Sequence, residues 1–183
     1  LIRTLRAVER ADVVILMIDA LEGLTKQDID ILMEGKKLFK GLILAVNKWD
    51  LVREKETNTP RDYEKYLRKS LEWLPYIEIK FISVLEKQRL FKLLDIANEI
   101  KKRREFRIAT SELNDFLGGI IKTHTPPSVN GKFINIKYMT QAATNPPVFS
   151  FFVNEPNLLK DNYKRFLERK MREKYDFRGV PLV

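Results

Sequence analysis

Asn47, Lys48 and Asp50 close an apolar run, "LILAVNKWDL", with only Trp49 between the cation and the carboxylate. An amide, a cation and a carboxylate so placed can grip a flat, polar ring. An ionised Asp50 offers two acceptor oxygens, which suit a ring edge that carries two N–H donors side by side. Guanine presents such an edge, N1–H beside its N2 amine, and adenine does not. The Asn47 amide can address the far side of the ring, around O6 and N7, or tie neighbouring loops together. The stem of Lys48 can lie along the ring face, with its ammonium in water or on a ring oxygen. Trp49 faces elsewhere in this arrangement, either shielding the loop or packing in the core. Taken alone, the same four residues also describe a polar loop that ends a strand. The elements that carry them decide between the two.

Those elements alternate in type. "DVVILMID" (12–19) and "GLILAVN" (41–47) are continuous apolar runs, as in strands buried on both faces. Between them Thr25 caps an expected helix to about Phe39, with Ile29, Leu32 and Met33 inward. "TNTPRDYEKYLRKSLEWL" (57–74) reads as a loop and a helix with Pro60 in its first turn. "IEIKFIS" (77–83) is a third strand, and a helix from about Arg89 to Arg104 carries Leu90, Leu93, Leu94, Ala97 and Ile100 on one stripe. The segment before the first strand, "LIRTLRAVERA", has helical spacing at Ile2, Leu5 and Val8. The alternation predicts an α/β domain with a parallel, doubly wound sheet and helices on both faces. Asn47, Lys48 and Asp50 then lie at the carboxyl end of a central strand, where such sheets bind ligands. Three strands make a thin sheet, so either this is a small domain or its first half is absent from this sequence, and absence is the expectation.

The rhythm changes near residue 107. A helix over 110–122 with Thr110 or Ser111 as cap, strands over 132–141 and 148–154, a helix over 158–175 and a short strand at "VPLV" (180–183) predict an α-β-β-α-β order. In the first of these strands Phe133, Asn135, Lys137 and Met139 alternate with Ile134, Ile136, Tyr138 and Thr140. Leu159, Tyr163, Phe166, Leu167 and Met171 form the inward face of the last helix, and Tyr138, Phe151 and Phe152 are expected in the core. Charge follows the same division. Residues 1–100 hold 18 Lys+Arg against 17 Asp+Glu, residues 101–106 hold 4 against 1, and residues 107–183 hold 12 against 7, within a total of +9. A neutral first part and a basic remainder point to an acidic partner for the second, nucleic acid above all. The candidate phosphate contacts are Lys101, Lys102, Arg103 and Arg104 with nearby Arg107 at the join, and Lys164, Arg165, Arg169, Lys170 and Arg172 on the last helix. The alternative for that helix is a solvated face laced by pairs such as Glu168–Arg172. The chain has no Cys and one His, His124, which excludes disulfides, thiolate sites and a multi-histidine metal centre. No apolar run reaches the ~18–20 residues of a membrane span, and the charged N-terminus is not a secretory signal. Membrane association is not expected, and the absence of Cys fits a cytoplasmic protein.

Several of these stretches resemble a known family. "NKWD" resembles the Asn-Lys-x-Asp guanine-specificity motif of the P-loop GTPases, and "FISVL" (81–85) is similar to their Ser-Ala-Leu or Ser-Ala-Lys motif, with Ser83 matching and Val84 in place of Ala. "TLRAVERADVVILMIDALEGLTKQDIDIL" and "PPSVNGKFINIKYMTQAATNPPVFSFFVN…YKRFLERKMRE…GVPL" resemble the tandem GTPases called EngA or Der. The resemblance covers essentially the whole chain. It implies residues 1–104 as the guanine-recognising, C-terminal part of a GTPase domain and 105–183 as a small α+β KH-like domain. It implies GTP or GDP as ligand, bound through Asn47, Lys48, Asp50, Ser83 and the backbone N–H of Val84. It also implies a role in assembly of the large ribosomal subunit, with ribosomal RNA and the other half of the GTPase domain as partners.

The phosphate machinery is another matter. No G-x-x-x-x-G-K-[ST] run occurs, "DFRG" (176–179) and "DALEG" (19–23) are coincidental strings, and no residue for a Mg²⁺ site is recognised. Hydrolysis and its Mg²⁺ are therefore expected of an intact parent, and this chain alone is expected to be inactive and to hold GTP weakly. The KH-like part lacks the G-x-x-G loop that clamps RNA. From a different class, the chain reads as an RNA- or protein-binding module on a non-catalytic α/β scaffold.

Overall fold

A computed structural model describes residues 2–52 and 59–183; the loop expected at 57–58 lies outside the described residues. The chain divides into two units, Leu1–Arg103 with Phe177–Pro181, and Arg104–Asp176 with Leu182–Val183.

In the first unit, α1 (Ile2–Arg10) leads into β1 (Val13–Asp19), α2 (Lys26–Lys37), β2 (Gly41–Asn47), α3 (Thr59–Ser70), β3 (Glu78–Phe81) and α4 (Leu90–Glu105), whose last turn passes into the second unit. The three strands are parallel in the order β1-β2-β3, with Asp19 opposite Asn47 and Val46 opposite Phe81. Their carboxyl ends are therefore level. β2 is the centre, and Leu42, Ile43, Leu44, Ala45 and Val46 are fully buried, so both of its faces are covered. One face packs with Leu32 of α2, Leu67 of α3, Leu71, Leu74 and Trp49. α2 starts where the sequence places its cap: Thr25 Oγ1 accepts from the Asp28 backbone, and Asp28 Oδ2 accepts from the Thr25 backbone N–H at 2.9 Å.

Two helix faces differ from the expected ones. In α2 Ile31 is buried and Met33 is exposed; in α4 the buried stripe is Leu93, Ile96 and Ile100, with Leu94 in solvent. Both helices carry apolar residues on more than one side, so sequence spacing admitted either face.

The tail of the chain completes this unit. Gly179 N–H donates to the Tyr76 carbonyl at 2.6 Å and its own carbonyl accepts from Leu42 N–H at 2.9 Å. Phe177 and Val180 are buried. Gly179 has φ +75°, and a Cβ there would lie 2.3 Å from Ile100 Cδ1. Only glycine meets both conditions.

The second unit holds α5 (Thr110–Thr123), β4 (Ile136–Ala143), β5 (Val148–Val153) and α6 (Asp161–Lys174), with β4 and β5 antiparallel. The expected final strand at 180–183 is not formed: 177–181 belong to the first unit, and Val183 alone bonds to Pro147 and Phe149. α5 begins after Ala109 with no side-chain cap, rather than at a Thr110 or Ser111 cap. Its Asn114 closes the outer edge of β4, accepting from Met139 N–H at 2.9 Å and donating to Met139 O at 3.0 Å. The inward face of α6 holds Tyr163, Leu167 and Met171, with Phe166 half-buried. A register shift between Ile136 and Tyr138 breaks the expected alternation of β4. Met139 turns fully inward, while Tyr138 and Phe152, expected in the core, are 43% and 42% exposed.

Candidate functional site

Asp19, Asn47 and Ser83 meet because three parallel strands end together. β1 finishes at Asp19, β2 at Asn47, and the residues after β3 continue the level, with Ile82 N–H bonded to Val46 O at 2.9 Å. Ser83 is buried and held from three sides. Its N–H donates to Gln88 O, its carbonyl accepts from Gln88 N–H, and its hydroxyl accepts from Glu86 N–H at 3.1 Å. The turn that follows is thereby fixed, with Val84 at its exposed corner.

Asn47 joins the two loops. Its Oδ1 accepts from the Val84 N–H at 3.0 Å, which realises the loop-tying role the sequence left open. An accepting Oδ1 leaves the Nδ2 hydrogens of Asn47 to point at a ligand acceptor. A ring oxygen approaching Val84 N–H shares or replaces the Asn47 oxygen there.

Lys48 sits in the left-handed region at φ 59°, ψ 31°. This turns its side chain back across the ends of β2 and β1, where the ammonium pairs with Asp19 Oδ2. Asp19 also accepts from Leu21 N–H at 2.8 Å. The Lys48 hydrogen bond, then the Leu21 amide, hold the Asp19 carboxyl below its usual value of 3.8, and Asp19 holds Lys48 above 10.5. Asp19 is a residue the sequence reading did not place in the site; its position as the terminus of the first buried strand was the available signal.

The signs of the two shifts give a testable window. The contribution of Asp19 is present above 3.8 and lost as pH falls through its lowered pKa; that of Lys48 is present below 10.5 and lost as pH rises through its raised one. Loop geometry should therefore be flat from about pH 5 to 9. Fluorescence of Trp49 in a Trp73→Phe variant, followed across that range, should show no transition; a midpoint near neutrality contradicts the pairing.

Trp49 takes the core alternative. It is 5% exposed, its backbone N–H donates to Ile82 O at 3.1 Å, and its ring lies 4.3 Å from that of Phe81 and 5.5 Å from that of Tyr63. With Trp49 anchored inward, the neighbouring Asp50 is held in the short helical turn Trp49–Leu51. Asp50 Oδ1 is buried and has no hydrogen-bond partner among the described residues. A buried carboxylate oxygen without a donor is costly, about 1–3 kcal/mol or more for a charged group, and calls for an explanation. The donor to Asp50 Oδ1 lies either outside the described residues or on a ligand.

The basic residues fall into two kinds. Lys101, Lys102, Lys164, Arg165 and Arg169 are exposed, with Lys101 pairing with Asp12 at 3.7 Å, Lys164 with Asp161 at 3.0 Å and Arg169 with Glu173 at 3.7 Å at the surface. Arg104 is not a surface cation: it is 3% exposed and its Nε donates to Asn145 Oδ1 at 2.8 Å. Arg103 is tied to Glu99 and to the Arg178 carbonyl, Arg172 to Glu168 at 2.9 Å, and Lys170 to Glu173 at 2.6 Å. The Glu168–Arg172 pair makes part of α6 the laced, solvated face named as its alternative.

Comparison with known proteins divides the chain near the same point, after residue 103, although the second match also takes in the tail 177–181 that packs with the first unit. Residues 2–103 match the family described as the elongation factor Tu GTP binding domain, and residues 107–183 match the KH-domain-like family of EngA bacterial GTPase enzymes, C-terminal. The chain is 46% identical over 181 residues to GTPase Der of Chloroherpeton thalassium, covering 99% of this chain and 41% of that protein. It is 47% identical over 182 residues to GTPase Der of Flavobacterium psychrophilum, covering 98% and 41%. A solved structure of Aquifex aeolicus Era bound to GDP.AlF4- is similar at 20% identity, over 97% of this chain and 65% of that one, with a TM-score of 0.44. The chain thus spans 41% of the length of these curated relatives.

Proposed function

The chain belongs to the EngA/Der family of GTPases, and from that premise we propose that its first unit reads the guanine base of GTP or GDP while its second unit meets RNA. The observation that carries the first half is the buried Asp50 Oδ1, without a partner among the described residues, set in a turn that Trp49 anchors beside the Asn47–Val84 link. Asp50 takes the N1–H and N2 amine, Asn47 Nδ2 faces O6 and N7, Val84 N–H reaches O6, and the Lys48 stem flanks the ring. Ser83 holds the Val84 turn in place. Cleavage of the γ-phosphate needs a phosphate-holding loop and Mg²⁺ ligands, which this sequence does not contain as a recognisable motif. The part proposed for it is therefore selection of the base, with hydrolysis belonging to a parent that carries the rest.

In the second unit the exposed Lys164, Arg165 and Arg169 supply the charge for RNA; Lys101 and Lys102 are exposed cations of the first unit. Ribosomal RNA during large-subunit assembly in the cytoplasm is the partner this reading names. The test of the base-reading half is a titration of this chain with guanosine and adenosine nucleotides at millimolar concentration, followed by amide NMR shifts. Guanosine nucleotides should move Asn47, Asp50 and Val84, and adenosine nucleotides should not. Equal shifts with both, or none with either, would defeat the assignment.

A further inference from the structure

We infer that the outer face of the β4–β5 sheet is a stacking platform for single-stranded RNA, an inference that rests on the RNA reading of the second unit and specifies where the bases go. Tyr138 and Phe152 are cross-strand partners whose rings stack at 4.1 Å between centroids and 10° between planes, and each is more than two-fifths exposed. The shift between Ile136 and Tyr138 puts them there: an unbroken alternation would have turned Tyr138 inward and Met139 out. Phe133, just before β4, stands 82% exposed. Its backbone is tied to the end of β5, since its carbonyl accepts from Asn154 Nδ2 at 2.9 Å and Asn135 N–H donates to Asn154 Oδ1 at 2.7 Å.

The rest of the face suits nucleic acid. Thr140 pairs with Ser150 beside the rings, offering hydroxyls, and Lys137 is an exposed cation next to Tyr138. No residue from 133 to 154 is acidic, so nothing on these strands repels phosphate. A stacked pair of rings leaves outer π-faces on which bases continue the stack, and base–aromatic stacking tolerates any sequence. An apolar protein partner gains little from a lysine and two hydroxyls at the centre of its contact. Single-stranded RNA uses all of them, and duplex RNA, whose bases are already stacked, does not.

The experiment uses the whole chain and a fluorescent single-stranded oligouridine of about twelve nucleotides. Binding is measured across a salt series for the wild type, for Tyr138→Leu and for Phe152→Leu, substitutions that keep apolar bulk but remove the π-face. Each variant should bind about tenfold more weakly with an unchanged salt slope, because the phosphate contacts are intact. In the wild type, an oligonucleotide carrying 5-iodouracil should crosslink to peptides containing Tyr138 or Phe152, a readout that needs no variant to fold. Wild-type-like binding by both leucine variants, with crosslinks mapping to α6 instead, would overturn the platform and leave RNA binding standing. No salt-sensitive binding by the wild type would overturn both. Either failure leaves the guanine assignment, tested on a different unit, untouched.

Discussion

Asp50→Asn should convert a preference for guanine into one for xanthine. The substitution preserves shape and replaces acceptor oxygen with a donor amide, which opposes the N1–H and N2 amine of guanine. Xanthine carries an oxygen where guanine has the N2 amine, so the new donor is matched. Hydrogen bonds to a charged group contribute about 1.5–3 kcal/mol each; loss of the pair, about 3 kcal/mol or more, weakens guanine by at least about a hundredfold. The buried Oδ1 also makes a stability forecast. Because no described donor reaches it in the free chain, removing its charge should leave the fold as stable as before or slightly more so. Competition between guanosine and xanthosine nucleotides, read by ligand-observed NMR, checks the first effect, and urea unfolding checks the second. Retained guanine preference in a folded Asp50→Asn variant would remove Asp50 from the site.

The second large effect lies far from the base. Gly179→Ala should destabilise the first unit by about 3 kcal/mol. An L-residue in the left-handed region costs about 1–2 kcal/mol, and overpacking adds about 1–3 kcal/mol. The new Cβ would fall 2.3 Å from Ile100 Cδ1 and 2.6 Å from Ile100 Cγ1, and Ile100 is fully buried and cannot swing aside. Adding Ile100→Val, which removes the nearer atom, should recover part of the loss but not the backbone share. Denaturant unfolding monitored by Trp49 and Trp73, both in the first unit, reports the change directly. A loss below the uncertainty of the extrapolation would mean that Gly179 is not held in this conformation.

What the sequence disclosed depended on how local each determinant was. β1 and β2 were legible because uninterrupted β-branched runs have few other uses, and Thr25 because a cap and its Asp28 lie within one turn. Asn47, Lys48 and Asp50 were legible because the strand before them was. The Ile136–Tyr138 register shift was not: a bulge adds one residue to a pairing and leaves no mark on composition, so the expected faces of Tyr138 and Met139 were exchanged. Asp19 was passed over because its role appears only when two strands end side by side. Arg104 looked like one more cation in a basic run, and only its bond to Asn145, far along the chain, shows it to be an interior group. The tail was misread for a similar reason. Residues 180–183 carry strand-like side chains, and the bonds from Gly179 to Tyr76 and Leu42 that draw the tail into the first unit span most of the sequence.

That returning tail bears on synthesis. Phe177 and Val180 fill the first unit, yet they are translated after everything in the second except its last two residues. A nascent chain emerging from the ribosome can assemble β1, β2 and β3 early but must wait with that seat open until the later module has left the exit tunnel. Domains ordinarily fold in the order they are made; here the earlier globule is sealed last.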